Sequence, residues 1–235
     1  MALPRILNPR EIPVAGTDAH LPPLAGERLT APALRERFGH PRPGWQPELP
    51  GDGRVLSDRT PAAAAVLVPL IERDDGLHVL LTRRTEHLRD HAGQISFPGG
   101  RSEPHDDGAP ATALREAEEE VGLPRRQVEV IGELPPYTTI TRYVVTPVVA
   151  LVHPPLALSQ LALDRHEVAA AYEVPLAFLM NPAHHRRHVF VWEGGQRQFL
   201  SMPWRGSGTG TDGDEVFIWG ATAAMLRNLY RFLGD

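Results

Sequence analysis

Apolar residues in this chain come mainly in short continuous runs separated by polar turns. The run from Ala62 to Leu70 is followed by Asp74-Asp75-Gly76 and then by a second run from Leu77 to Leu81. Two such runs around a Gly-containing turn predict a β-hairpin. Further strands are predicted at 94–97, 128–134, 143–152, 168–174, 188–192, 198–203 and 215–219, with Gly194-Gly195 as a tight hairpin turn. Helical punctuation is rarer and places helices at 30–38, 110–121, 175–181 and 221–233. Strands outnumber helices and arrive as hairpins, so the expected class is α+β, a mixed sheet flanked by helices.

Proline separates the beginning of the chain from the rest. Eleven of the 24 prolines fall in the first 61 residues. Proline lacks a backbone donor and is poorly tolerated inside sheets, so residues 1–60 read as a Pro-rich arm and 61–235 as the main domain. The helix at 30–38, with Thr30 as cap and Leu34 four before Phe38, is expected to serve packing or homodimerisation.

Composition narrows the chemistry. The net charge of -5, without a long basic run, leaves no electrostatic footprint for nucleic acid, which points to a small-molecule partner. With no cysteine, disulfides, thiolate metal sites and cysteine nucleophiles are excluded. No stretch approaches the roughly 20 apolar residues of a membrane span, and no apolar leader is visible, so a soluble, cytoplasmic protein is expected.

The helix at 110–121 carries REAEEEVG, residues 115–122. Gly122 and Pro124 end it, so its glutamates lie where the helix dipole is negative and each acid is disfavoured by about 0.3–1 kcal/mol. Glu116, Glu119 and Glu120 share one face at i, i+3 and i+4, while Glu118 points away. An acidic helix face is ordinarily just solvated. Repelling carboxylates at the wrong end of a helix nevertheless suit a hard cation, Mg2+ or Mn2+. Ahead of the helix, Phe97-Pro98-Gly99-Gly100 lets backbone approach a ligand closely and lets the Gly100 carbonyl turn toward a metal.

These residues carry a resemblance. Arg115-Glu116-Ala117-Glu118-Glu119-Glu120-Val121-Gly122-Leu123 resembles the second half of the Nudix box. Gly100 lies 15 residues before Arg115, one more than the general box has, and Asp106 or Asp107 stands where a glutamate is usual. The preceding LLTRRTEHLRDHAGQISFPGG, residues 80–100, is similar to the signature of the coenzyme A pyrophosphatase branch of Nudix hydrolases. Leu80, Leu81, Thr82, Arg84, Arg89, Gly93, Ile95, Ser96, Phe97, Pro98, Gly99 and Gly100 all match it, and Thr85 departs. The longer loop ending in Asp106 fits the same branch.

The resemblance implies a Nudix fold, an α/β/α sandwich, and metal-dependent hydrolysis of the diphosphate of coenzyme A or acyl-CoA. The products would be 3',5'-ADP and 4'-phosphopantetheine or its acyl derivative. It implies Glu116, Glu119, Glu120 and the Gly100 carbonyl as metal ligands, Glu119 and Glu120 within the catalytic set, and Arg115 as the residue that orients the acids. Glu167 is the candidate base outside the box. Arg84, Arg89, His91 and Gly99 are candidates for binding substrate, guanidinium suiting phosphate oxygens; for either arginine the other reading is a structural ion pair. The competing functions are the same chemistry on ADP-ribose or a dinucleotide, and a non-catalytic Nudix-fold binding module, which the complete set of glutamates disfavours.

Two further signals are set aside. Gly208 to Gly213 matches G-x-G-x-x-G but precedes a predicted strand, not a helix, so it is read as a hairpin loop able to act as a lid. His184, His185 and His188, beside Arg186 and Arg187, are read as an exposed loop.

Overall fold

A computed structural model describes residues 6–40, 43–52, 61–88, 91–141, 143–209 and 211–235. In chain order the elements are β1 (Val14–Thr17), α1 (Ala31–Gly39), β2 (Ala62–Arg73), β3 (Gly76–Arg84), β4 (Ile95–Ser96), β5 (Gly99–Arg101) and α2 (Gly108–Val121). They continue with β6 (Val128–Glu133), β7 (Tyr137–Thr138), β8 (Tyr143–Val152), β9 (Val168–Pro175), α3 (Leu176–Leu179), β10 (Arg186–Trp192), β11 (Gly195–Gly208), β12 (Thr211–Trp219) and α4 (Gly220–Gly234).

The strands form one mixed sheet in the order β1-β10-β11-β9-β3-β2-β8-β6. At its centre β2 and β8 run parallel, Ala62 against Tyr143 through Ile71 against Val152. Both are nearly continuous apolar runs because both faces are covered. Ala65, Leu67, Ile71, Val148, Ala150 and Val152 pack against Ala113, Ala117 and Val121 of α2. The alternate residues Val68, Leu70, Val149 and Leu151 join the core that contains Leu34 and Phe38 of α1 and Leu226 and Leu229 of α4. Helices on both faces of a mixed sheet realise the α/β/α arrangement.

β2 and β3 pair only near their shared turn, from Leu70–Val79 to Arg73–Gly76. Farther along, β4 bonds to β3 and β5 bonds to β2, so the residues around Phe-Pro-Gly-Gly open the sheet between them. That opening receives the C-terminal half of α2.

The proline-rich beginning of the chain lies on the same core. Thr30 caps α1 by accepting from the Ala33 amide, and Leu34 is fully buried. The helix that sequence left open to packing or dimerisation thus packs within its own chain. β1 adds only a four-residue, exposed edge strand to β10, as the proline content requires.

Ion pairs hold this segment down. Asp18 accepts two hydrogen bonds from Arg187, at 2.6 and 2.9 Å, and lies 3.1 Å from Arg227. Glu48 accepts from Arg227 at 2.8 Å and Arg231 at 2.6 Å. Arg227, on α4, is wholly buried, so its charge is tolerable only because these acids meet it.

Two expectations are corrected. His184, His185 and His188 do not form an exposed loop: His184 stacks on Phe178, and His185 and His188 are buried. The His185 ring bonds the Leu179 carbonyl and the His188 ring bonds Ser201, satisfying polar groups that tertiary packing has enclosed. The hairpin expected around Gly208 is present, with Gly208 opposite Thr211 of β12, but it is not free. β11 extends to Gly208, which pairs with Tyr172 of β9, and Thr209 exchanges two hydrogen bonds with Ala171. A Cβ on Gly208 would lie 2.3 Å from the Tyr172 ring, so glycine there serves close packing. Among the described residues no helix is long and apolar enough to cross a membrane.

Burial alone would raise the Glu48 pKa, but the bonds from Arg227 and Arg231 outweigh it and hold the carboxyl down at about 2. Its contribution is therefore present above the unfolded pKa near 4.5 and lost as pH falls through about 2. Glu48→Gln is expected to cost about 2–3 kcal/mol at pH 7. In urea denaturation, the gap to wild type should shrink steadily below pH 4.5; a gap independent of pH would contradict the assignment.

Candidate active site

α2 begins at Gly108 after Asp107 and ends at Gly122, whose φ of 68° is the left-handed turn that closes helices. Its last carbonyls would otherwise be unpaired. Instead the loop before β9 supplies donors: the Ala162 amide bonds the Val121 carbonyl and the Asp164 amide bonds the Glu120 carbonyl. This loop carries Glu167 and is fixed from its other side by Thr85. The Thr85 amide donates to the Glu167 carbonyl and its hydroxyl to the His166 carbonyl, at 2.9 Å. Thr85, noticed in the sequence only as a departure from a pattern, is thus an anchor for the candidate base.

Arg115 organises the opposite side. Its Nε and Nη2 clamp Asp106 at 3.0 and 2.9 Å, Nη1 donates to Glu116 at 2.9 Å and Glu119 at 3.0 Å, and Nη2 also donates to the Arg101 carbonyl at 3.1 Å. All five guanidinium N–H groups have acceptors. Hydrogen bonding from Arg115, reinforced by the Glu103 amide and Thr112, holds the Asp106 carboxyl well below the usual range. The bond to Asp106 raises Arg115 in turn, against the cost of burial. Asp106 is thereby committed to the loop, which is why the unusual spacing before the helix is accommodated.

The three glutamates are unequal. Glu119 is largely exposed, Glu116 is half-buried and Glu120 is buried. A Cβ on Gly100 would sit 2.5 Å from the Glu116 carboxyl carbon, so glycine lets this backbone reach the acid as Arg115 holds it. Glu120 accepts from the Gly99 amide at 3.1 Å. Burial pushes Glu120 up to about 8, opposed by the Gly99 amide and Arg84 and reinforced by Glu167 and Glu116. Burial also raises Glu116, with Arg115 opposing. Arg84 stands between helix and loop, 3.6 Å from Glu120 and 3.8 Å from Glu167. Glu118 is on the far side, paired with Arg125.

Carboxylates together with a closely approaching glycine backbone form an oxygen donor set suited to a hard divalent cation. The residues present fit such an ion, although among the described residues no three acidic or histidine side chains converge as a ready ligand set. Their charges are instead met by Arg115 and Arg84.

The remaining sequence candidates are distributed as follows. The Gly99 amide is taken by Glu120, which gives this residue a role in placing an acid. His91 has a φ of 61° and its ring pairs with Gln94, not with the acids. Arg89 lies outside the described residues. An open hollow of about 550 Å³ beside Glu116 is lined by Arg101, Ser102, Glu103 and Pro104. A second cavity of about 530 Å³, lined by residues including Leu49, Asp52, Tyr137, Trp192, Arg197 and Phe199, contains none of Glu116, Glu119, Glu120 and Glu167. Cavity size therefore does not single out the site; the acids do.

Residues 60–191 match the NUDIX domain model. Nudix hydrolases NudL of Escherichia coli, described as uncharacterized, are similar over 173 residues: those of strains O7:K1 and K12 are each 42% identical, covering 73% of this chain and 82% of theirs. Among solved structures, the Nudix hydrolase RenU of M. smegmatis is 26% identical, with a TM-score of 0.41 over 57% of this chain and 86% of that one.

Removing the Arg115 charge would leave Asp106 and Glu116 without their common cation in a partly buried setting. Arg115→Met is expected to destabilise the fold by about 3–5 kcal/mol. Urea denaturation at pH 7 checks this, and a loss below about 1 kcal/mol would show that the network is not needed for folding. Glu120→Gln, by contrast, removes a carboxyl whose ionisation burial opposes while keeping an acceptor for Gly99. Raised above its unfolded value, the wild-type group lowers stability as pH climbs from 4.5 to about 8. Without metal at pH 8, Glu120→Gln is expected to melt at or above the wild-type Tm; a clear decrease would contradict this electrostatic assignment.

Proposed function

The chain belongs to the Nudix hydrolase family, and from that premise we propose that it hydrolyses the diphosphate of coenzyme A or acyl-CoA to 3',5'-ADP and (acyl-)4'-phosphopantetheine. The observation that carries the substrate class is the 80–100 stretch. It resembles the coenzyme A signature and supplies both Arg84, beside Glu120 and Glu167, and Gly99, whose amide holds Glu120.

In this reading Glu116, Glu120 and the Gly100 carbonyl hold Mg2+ or Mn2+, with exposed Glu119 available as a further ligand. When bound, the ion supplies charge neutralisation for the diphosphate and lowers the pKa of water. The residues do the remainder. Glu167, half-exposed at the end of a loop pinned by Thr85, accepts the proton of the attacking water. Arg84 binds phosphate oxygens through its paired N–H groups. Arg115 keeps Glu116 and Glu119 oriented. Water adds at phosphorus as the bridging P–O bond breaks, leaving two phosphate monoesters.

The decisive experiment incubates the purified protein with CoA, acetyl-CoA, ADP-ribose and diadenosine substrates in Mg2+ or Mn2+, with products resolved chromatographically. We expect 3',5'-ADP from the CoA compounds at the highest kcat/KM. Rapid turnover of ADP-ribose with none of CoA would reject the substrate assignment. Glu120→Gln should lose at least about 100-fold in kcat, in the range of losing one transition-state charge contact. Wild-type activity in that variant would reject its place in the site.

A further inference from the structure

We propose that Arg84 is a displaceable stand-in cation that competes with divalent metal for Glu120, and that it leaves Glu120 and the neighbouring Glu167 when metal binds. The inference rests on the acids being the metal site.

The two guanidinium groups that meet the acids differ in kind. Arg115 is buried, has every donor engaged and ties α2 to the 101–106 loop, so it cannot leave without disrupting the fold. Arg84 approaches Glu120 and Glu167 only at 3.6 and 3.8 Å, beyond hydrogen-bond range. Other arginines of this protein show what a seated pair looks like: Arg73 bonds Glu173 at 2.6 and 2.7 Å, and Arg187 bonds Asp18 at 2.6 and 2.9 Å. Arg84 is attracted to both acids and docked on neither.

Nor does Arg84 alone place Glu120. Glu120 is held by α2 and the Gly99 amide, while Thr85 holds the backbone that carries Glu167. Withdrawing the guanidinium therefore leaves the Glu120 carboxyl in position for a divalent ion. The side chain is about one-quarter exposed, which gives it somewhere to go. Once released, it is a free phosphate-binding group next to the site where a diphosphate would be held. A single residue thus balances charge before loading and contacts substrate afterwards.

Mn2+ binding without substrate, followed by titration calorimetry, tests the exchange. Arg84→Met should bind Mn2+ about three- to tenfold more tightly than wild type, the change expected from losing two partly exposed competing ion pairs. Arg84→Lys keeps a competing charge and should remain within about twofold of wild type. Glu120→Gln should weaken binding at least about tenfold, reporting the metal site itself. Equal or weaker binding by Arg84→Met, with Glu120→Gln still impaired, would overturn the competition while leaving the metal site standing. Unchanged binding by Glu120→Gln would overturn the metal assignment and the competition with it.

Discussion

The candidate site depends on one guanidinium having no choice of conformation. Arg115 has five N–H donors, and five acceptors on a loop acid, a loop carbonyl and two helix acids surround it. Because these acceptors come from both sides of the 101–106 segment, the loop cannot shift without leaving a buried charge unpaired. The segment between Phe-Pro-Gly-Gly and α2 is consequently short of freedom despite its polar composition. Gly100 meets Glu116 and Gly99 meets Glu120 because Arg115 holds helix and loop in register.

That arrangement also explains how a helix with acids at its negative end is stable. The dipole penalty falls on Glu116, Glu119 and Glu120, but Arg115 neutralises two of them from within the same helix. The terminal carbonyls are satisfied by the loop that bears Glu167, so the bonds that finish the helix also deliver another acid to its end. Site assembly and helix capping are the same set of contacts. The N-terminal segment is secured separately, through Asp18 and Glu48 on the arginines of α4 and β10, and α1 completes the core on the other face of the sheet.

The elements that were legible in the sequence have strong local causes. β8 spans the anticipated residues 143–152, an apolar run bounded by polar ones, and Gly122 stops α2 where its φ is positive. The separation of Glu118 from Glu116, Glu119 and Glu120 follows from helix periodicity, and Glu118 is indeed turned to Arg125. What escaped reading had no local signature. His185 and His188 sit among arginines in the chain, yet partners distant in sequence bury them. Gly208 belongs to a polar, glycine-rich stretch whose turn-like composition gives no hint of Tyr172 lying against it. Thr85 looked like a substitution in a pattern because the His166 carbonyl it bonds is 81 residues away.

Sequence by itself determined the mixed α+β class and which glutamates share a face, since both depend on spacing along one chain. It also carried the family, through residues whose identity is constrained by chemistry. Tertiary structure alone decided how unequal those glutamates are. Glu120 is enclosed, Glu116 rests against a glycine and Glu119 remains in water, and no periodicity encodes that gradation. The same is true of the cations: Arg84 and Arg115 are alike as letters, but one has every donor saturated, while the other stands at 3.6 and 3.8 Å from its two acids. Burial and partner count are properties of the assembled neighbourhood, contributed by segments that sequence keeps far apart.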